Sequence, residues 1–420
     1  MTLTVYCDED ADRHLFLRLR ALSKGLAAIA DVDVTVYPQF PGILGKAGLA
    51  AIVPLMENDR PDWIICKGGK PVLVVEMTEH AYTGDNGLQR FVRSAAAAEQ
   101  RVPFVYFGPL ARVRDDELDL IVDPADLSKR SLTSDFFEGL VALDRIFATP
   151  MLFAKWIVGS NGKVAKVPAA CTQAQLSTVY GDLVSLIEAV LWTDAAAIAA
   201  ARAEVATLAT KKNTTTSEVR FRLTRVEAAD LMRQPAKLLG RMQGYFDKGK
   251  PHKLIARHAV AMSKVSVVRS GDNLITAKKD VSQILDDLAI LPAFANGLIG
   301  YYSGYEWRPD PHSGVAANLY YRDCAPKGAP RLPLLLFYPR ISVLEASAVA
   351  LEDRKALTAS FKMRYGTGWK KNFKMSIDAS AIYSVWTVGT KQARVFTKYC
   401  ALIVLNDGLV LGTELSKKWP

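Results

Sequence analysis

The sequence predicts a two-part α/β protein: an N-terminal mixed sheet flanked by helices, followed by a basic α+β region. Three observations carry this. Helix-like and strand-like periodicities alternate through the first 150 or so residues. A polar tract without periodicity, KKNTTTSE at 211–218, then interrupts the chain. The charge also changes sign: residues 1–140 hold 15 Lys and Arg against 21 Asp and Glu, residues 211–280 hold 16 against 6, and residues 351–420 hold 12 against 5. A chain of 420 residues, half of them hydrophobic and 23% charged, has globular composition and length enough for two or three cores.

Residues 11–30 are Leu/Ala-rich with helical spacing, and DVDVTVYP after them alternates as a strand does. GILGKAGLAAIVPLMEN (42–58) reads as a helix bent near Pro54. RPDWIICKGGKPVLVVEMTEH (60–80) holds two apolar runs about a Lys-Gly-Gly-Lys turn, which predicts a β-hairpin. Residues 85–101 read as a helix capped by Asp85 or Asn86, and VPFVYFGP as a buried strand. The order over 42–109 is helix, strand, strand, helix, strand. A helix between the last two strands makes a crossover, so the sheet mixes parallel with antiparallel pairing. Helices follow at 135–150 and 175–210. Beyond 218 the pattern gives short strands, a helix near 280–291, loops to 332, a strand at 332–339 and a hairpin over 399–413 turning at Asn406-Asp407-Gly408. The expected division is 1–140, a helical connection over 141–212, and a basic region over 213–420.

Several classes are excluded. Cys7, Cys66, Cys171, Cys324 and Cys400 form no CxxC pair, which argues against structural zinc and for reduced thiols. No apolar run approaches bilayer length, and MTLTVYCDED lacks a signal-peptide pattern, so a cytoplasmic location and no membrane partner are expected. There is no Walker A motif, dinucleotide-binding glycine motif or nucleophile elbow, hence no ATP.

The chemistry concentrates between Pro61 and Thr78. Magnesium prefers hard oxygen ligands and takes one or two carboxylates from a protein. Asp62 at the start of one hairpin strand and Glu76 near the end of the next suit that demand, with the Met77 carbonyl as a further oxygen. A Glu ending the apolar run VLVVE is costly to bury unless paired or metal-bound. The plainer alternative has Asp62 capping a turn and Glu76 marking the solvent end of a strand. Strand alternation places Glu76, Thr78 and His80 on one face. His80 is more simply a loop residue than a general base, and Asp8-Glu9-Asp10 a solvated or helix-capping cluster.

Pro61-Asp62 and Glu76-Met77-Thr78, with this element order, resemble the PD-(D/E)XK nucleases, the superfamily of type II restriction endonucleases. The resemblance covers about residues 42–110 and implies a restriction-endonuclease-like core. It makes Asp62 and Glu76 metal ligands, with Glu57 as an extra acidic ligand on the preceding helix. Thr78 stands where the family usually carries a lysine that orients the attacking water; Gln89 and Arg90 on the following helix resemble conserved helix residues of some branches. It also implies Mg²⁺, replaceable by Mn²⁺, hydrolysing phosphodiester bonds in duplex DNA at a specific sequence, by a homodimer whose cognate DNA methyltransferase acts on the same site. Alternatives are a repair, transposon-end or structure-selective nuclease of the same fold, or a non-catalytic DNA-binding protein.

Basic residues interleaved with aromatics suit phosphate contact and base stacking. FKMRYGTGWKKNFKM (361–375) presents Arg364, Trp369, Lys370, Lys371 and Lys374 in this way. Arg93, Arg241, Lys250 and Lys253 are further candidates for DNA contact. So are Arg308 and His312, in a stretch (306–323) that reads as an ordered loop.

Overall fold

The computed structural model describes residues 2–37, 49–78, 85–108, 110, 132, 134–156, 172–210, 221–225, 264–268, 277–280, 298–302, 309–325, 334–337, 391–404 and 408–413. The chain forms two compact units, Met1–Glu218 and Val219–Pro420.

The first unit is α/β, built on a six-stranded mixed sheet. Its strands are β1 (Thr2–Cys7), β2 (Asp31–Val36), β3 (Trp63–Lys67), β4 (Lys70–Met77), β5 (Phe104–Gly108) and β6 (Met151–Lys155), in the order β2-β1-β3-β4-β5-β6. β1, β3 and β4 are antiparallel neighbours; β2 lies parallel to β1, and β5 and β6 continue parallel to β4. The β3–β4 turn uses Gly68 at φ 57° and Gly69 at φ 78°, the doubly left-handed conformation that a two-residue hairpin requires. Crossing from β4 to a parallel β5 takes the helix α3 (Asp85–Glu99).

The expected helix over 11–30 is two: α1 (Asp10–Arg20) and α2 (Lys24–Ala27). The Ser23 hydroxyl accepts from the Leu26 amide at 2.8 Å and restarts the helix, as a side-chain cap does. Glu9 caps α1 reciprocally with Asp12. The described part of the expected helix over 42–58 is a short 3₁₀ turn, Val53–Met56, with Pro54 in its first turn. The helices α4 (Ser134–Phe147), α5 (Gln173–Leu191) and α6 (Ala195–Thr210) complete the unit. α4 begins before residue 140, β6 extends the sheet beside β5, and α5 packs on the core. Residues 141–210 are therefore part of the first unit rather than a separate connection.

Alternation along the strands creates two faces. One carries Val5, Cys7, Trp63, Ile65, Leu73, Val75, Val105, Phe107, Leu152 and Ala154 against Phe16 of α1 and Leu183 and Ile187 of α5. The other carries Glu76, Tyr106 and Phe153 beneath α3 and α4, with Phe136 of α4 edge-on to Tyr106 at 4.9 Å.

The second unit holds a seven-stranded sheet in the order β7-β10-β11-β12-β13-β8-β9. Its strands are β7 (Phe221–Arg225), β8 (Lys264–Val268), β9 (Ala277–Asp280), β10 (Leu298–Tyr302), β11 (Leu334–Phe337), β12 (Leu402–Val404) and β13 (Gly408–Leu411). β11 and the antiparallel β12–β13 pair fall where the sequence places a strand and a hairpin. The stretch expected to be a loop at 306–323 is instead largely helical: α7 (Pro309–Leu319) followed by a π turn at Tyr320–Cys324. Both prolines of PDP sit in its first turn, where no intrahelical N–H is required, and Val315, Ala316, Ala317 and Leu319 are buried. α8 (Lys391–Tyr399) brings Tyr399 against Tyr320 and Tyr321.

Candidate active site

Register alone assembles a polar row across four strands. Glu76 of β4 lies abreast of Tyr106 of β5. On the other side Trp63 pairs with Val75, so Asp62, one residue before β3, stands opposite Glu76. Cys7 pairs with Trp63 and the Asp8 amide donates to the Asp62 carbonyl at 3.0 Å, which carries the row to Asp8. Cross-strand neighbours share a face, so Asp8, Asp62, Glu76 and Tyr106 point the same way. Thr78, two residues beyond Glu76, joins them, and its amide donates to the Phe107 carbonyl at 2.8 Å.

Glu76 is 0% exposed, which removes the alternative of an acid at the solvent end of a strand. Both its oxygens are taken by arginines of α3: Arg90 Nη1 reaches Oε1 at 2.5 Å, and Arg93 Nη1 bonds Oε2. Arg90 and Arg93, three apart on one helix face, close over the row together. Arg93 also binds Asp59 Oδ2 through Nε at 2.7 Å, and Arg60 pairs with Asp8 at 3.0 Å. Asp62 accepts the Met77 amide. Burial, reinforced by the neighbouring Glu76 charge, holds the Asp62 carboxyl well above the usual range, although Arg93, the Met77 amide and Arg90 oppose the shift. Burial likewise raises Asp8, against Arg60 and Arg93, and pushes Asp12 up to about 6. Burial opposes the charge on Arg93, but Glu76, Asp59 and Asp62 hold it firmly protonated. Burial pushes the Tyr106 phenol up to about 12.

Asp62 and Glu76 are the two carboxylates that could hold a hard cation, although both Glu76 oxygens are bound by arginine. Asp8, Asp59, Asp62 and Glu76 face Arg60, Arg90 and Arg93; with Asp62 protonated these charges balance, and with it ionised one negative charge is in excess. A divalent ion between Asp62 and Glu76 would offset that excess, and two carboxylates are the usual protein share of a magnesium site. Among the described residues no group of three or more His, Cys, Asp or Glu is placed to hold a metal ion, and the arginines are the present partners of Glu76.

Other expected residues are placed differently. Glu57 is exposed at the end of the 3₁₀ turn; Asp59, which the sequence did not single out, reaches the row through Arg93. Met77 contributes its amide, to Asp62. Gln89 is half-buried on α3. Arg93, expected to contact DNA, is 12% exposed and spans Asp59 and Glu76. His312 lies in the first turn of α7. His80, Arg241, Lys250, Lys253, Arg308, Arg364, Trp369, Lys370, Lys371 and Lys374 lie outside the described residues. Tyr106 stands in no motif and could have been found only through register; Asp8 stands in the acidic cluster at 8–10, but only the β1–β3 register brings it beside Asp62.

The free thiols Cys7, Cys66, Cys324 and Cys400 are buried. No described helix is long and apolar enough to cross a membrane. No known protein family, curated protein or solved structure matches the chain.

Proposed function

We propose that the first unit is a magnesium-dependent nuclease of the PD-(D/E)XK kind acting on duplex DNA, and that the protein works as a type II restriction endonuclease. The observation that carries this reading is the pair of carboxylates, Asp62 and Glu76, side by side on antiparallel neighbours with Glu76 wholly buried. Bound there, magnesium (or manganese) would supply the Lewis acidity that phosphodiester hydrolysis needs. Asp62 and Glu76 are the residues to hold it. Arg90, 30% exposed beside Glu76, is placed to meet a phosphate, while Arg93 fixes the Glu76 side chain. The basic stretches at 211–280 and 351–420 supply charge for backbone contact. Cutting both strands from one such site per chain calls for a homodimer, and a methyltransferase acting on the same sequence is the companion activity of such an enzyme.

A second reading, a non-catalytic DNA-binding protein of this fold, is favoured by one observation: both Glu76 oxygens are bound to arginine. Purified protein, supercoiled plasmid and Mg²⁺ distinguish them. Discrete fragments are expected from the wild type. Asp62→Asn and Glu76→Gln should abolish cutting, with duplex binding in EDTA retained within about threefold. Cutting by both variants at the wild-type rate refutes the site assignment; nonspecific decay of the plasmid favours a repair or structure-selective nuclease, and no cutting by the wild type favours the binding protein.

A further inference from the structure

Three polar groups at the β4–β5 end of the row have no formed hydrogen bond among the described residues: the Thr78 hydroxyl, the Tyr106 hydroxyl and Arg90 Nε. Thr78 is 3% and Tyr106 1% exposed, so bulk water does not satisfy them. Buried polar groups are as a rule paired, and each exception calls for a ligand or an ordered water. The two hydroxyls adjoin each other, and the Thr78 hydroxyl and the Arg90 charge both act on the Tyr106 phenol, so the pair can share one proton between them and still turn the other toward a ligand.

The placement of Tyr106 depends on a specific absence. Its ring lies along β5 over Gly108: a Cβ there would stand 2.9 Å from Tyr106 Cε1 and 3.3 Å from the Thr78 carbonyl. With Gly108 bare, the phenol reaches toward the carboxyl ends of β4 and β5, where Thr78 stands. Phe136 at 4.9 Å and Phe153 at 6.2 Å pack the ring in that position.

We infer that Thr78, Tyr106 and Arg90 form a subsite for one negatively charged oxygen of a substrate phosphate. A hydroxyl pair with one proton to spare and one cationic donor, beside the carboxylates yet offering no acceptor charge of their own, select an anion over a cation. Arg90, the partly exposed member, is the group an incoming phosphate meets first. In the nuclease reading, on which this rests, the bound oxygen belongs to the phosphodiester being cut, and the subsite turns that group toward Asp62 and Glu76.

Tyr106→Phe and Thr78→Val remove one hydroxyl each and keep the packing. The first measurement is thermal stability in inorganic phosphate against chloride at equal ionic strength, without metal. The wild type should gain more from phosphate than either variant, with melting in chloride unchanged between them. The second is single-turnover cleavage of a duplex in Mg²⁺, which Tyr106→Phe should slow on the order of a hundredfold, as loss of one oxyanion donor does. The phosphate shift decides. If the variants keep all of it, whether or not their melting in chloride falls, the notch holds only water or packs the core, and the subsite is overturned. If the wild type cuts nothing while the variants lose the shift, the subsite stands and the nuclease reading falls.

Discussion

Replacing Arg93 by methionine tests the electrostatics of the row most directly. Methionine keeps much of the apolar volume of the side chain and removes its charge. Arg93 is 12% exposed, Glu76 is 0% exposed and Asp59 14%, so two of the three charges lie deep enough that solvent screening is weak. Removing one partner of a buried ion pair typically costs about 3–5 kcal/mol, because the other charge is left without compensation. Glu76 keeps Arg90 at 2.5 Å, which places the expected loss at the lower end, about 3 kcal/mol. For a unit of this size each kcal/mol moves the melting temperature by roughly 2–4 °C, so the transition should fall by roughly 6–12 °C. Denaturant titration of the wild type, Arg93→Met, Glu76→Gln and the double variant closes a thermodynamic cycle. Coupling above about 1 kcal/mol between the two positions is expected. An Arg93→Met loss under about 1 kcal/mol with no coupling refutes the claim that this guanidinium holds Glu76.

The other predictions concern pH and packing. Asp12 titrates near 3.8 unfolded and is pushed up to about 6 when folded, mainly by burial, so the folded state binds its proton more tightly. Between those values the native protein holds more protons than the unfolded chain, and this contribution to stability falls as pH rises through the window. Asp12→Asn keeps the acceptor for the Glu9 amide and should flatten stability against pH over that range; an unchanged slope in urea titrations counts against the burial argument. Gly108→Ala, forced against the Tyr106 ring, should cost about 1–3 kcal/mol as overpacking does. Gly412→Ala should cost more, because its Cβ would meet the Cys400 carbonyl oxygen at 1.9 Å and only a backbone shift relieves that; calorimetry that finds Gly412→Ala the milder change would reverse the ordering.

How far the sequence revealed this arrangement depends on the range of each interaction. The β3–β4 hairpin was legible because Gly68-Gly69 between apolar runs is a local pattern, and α3 and β5 because one is periodic and the other wholly apolar. From the turn alone Asp62 would fall opposite Val75; the register shift between Ile65 and Cys66, which the sequence does not announce, moves it by one residue to face Glu76. β1 was missed: TLTVYC is short, and its place between β2 and β3 is fixed by pairing partners 29 and about 60 residues away. With β1 went Asp8, and with the β4–β5 register went the cross-strand position of Tyr106. Arg93 was recognised as a residue of the important helix but given an outward role; a guanidinium at helical spacing reads as solvated until the acid beneath it is located. The expected loop at 306–323 failed for another reason. Its proline-containing start has the chemistry of a turn, yet Pro309 and Pro311 stand in a first helical turn, where proline removes no hydrogen bond.

The ion pairs over Glu76 bear on function through what stability alone can explain. Phe104 and Val74 lie on the same face as Glu76, and both are buried apolar residues, so the fold has the means to fill this space without charge. Replacing a buried charged triad by apolar side chains of similar volume is often neutral or stabilising by about 1–4 kcal/mol. Glu76→Leu with Arg90→Met and Arg93→Leu, together with Asp59→Asn to remove the charge Arg93 now neutralises, should therefore fold and be at least as stable as the wild type, while losing all cleavage. Denaturant midpoints and the plasmid assay on one preparation decide the point. If the apolar variant were less stable than the wild type by more than about 1 kcal/mol, the charges would be explained by the fold, and their burial would no longer argue for chemistry at this end of the sheet.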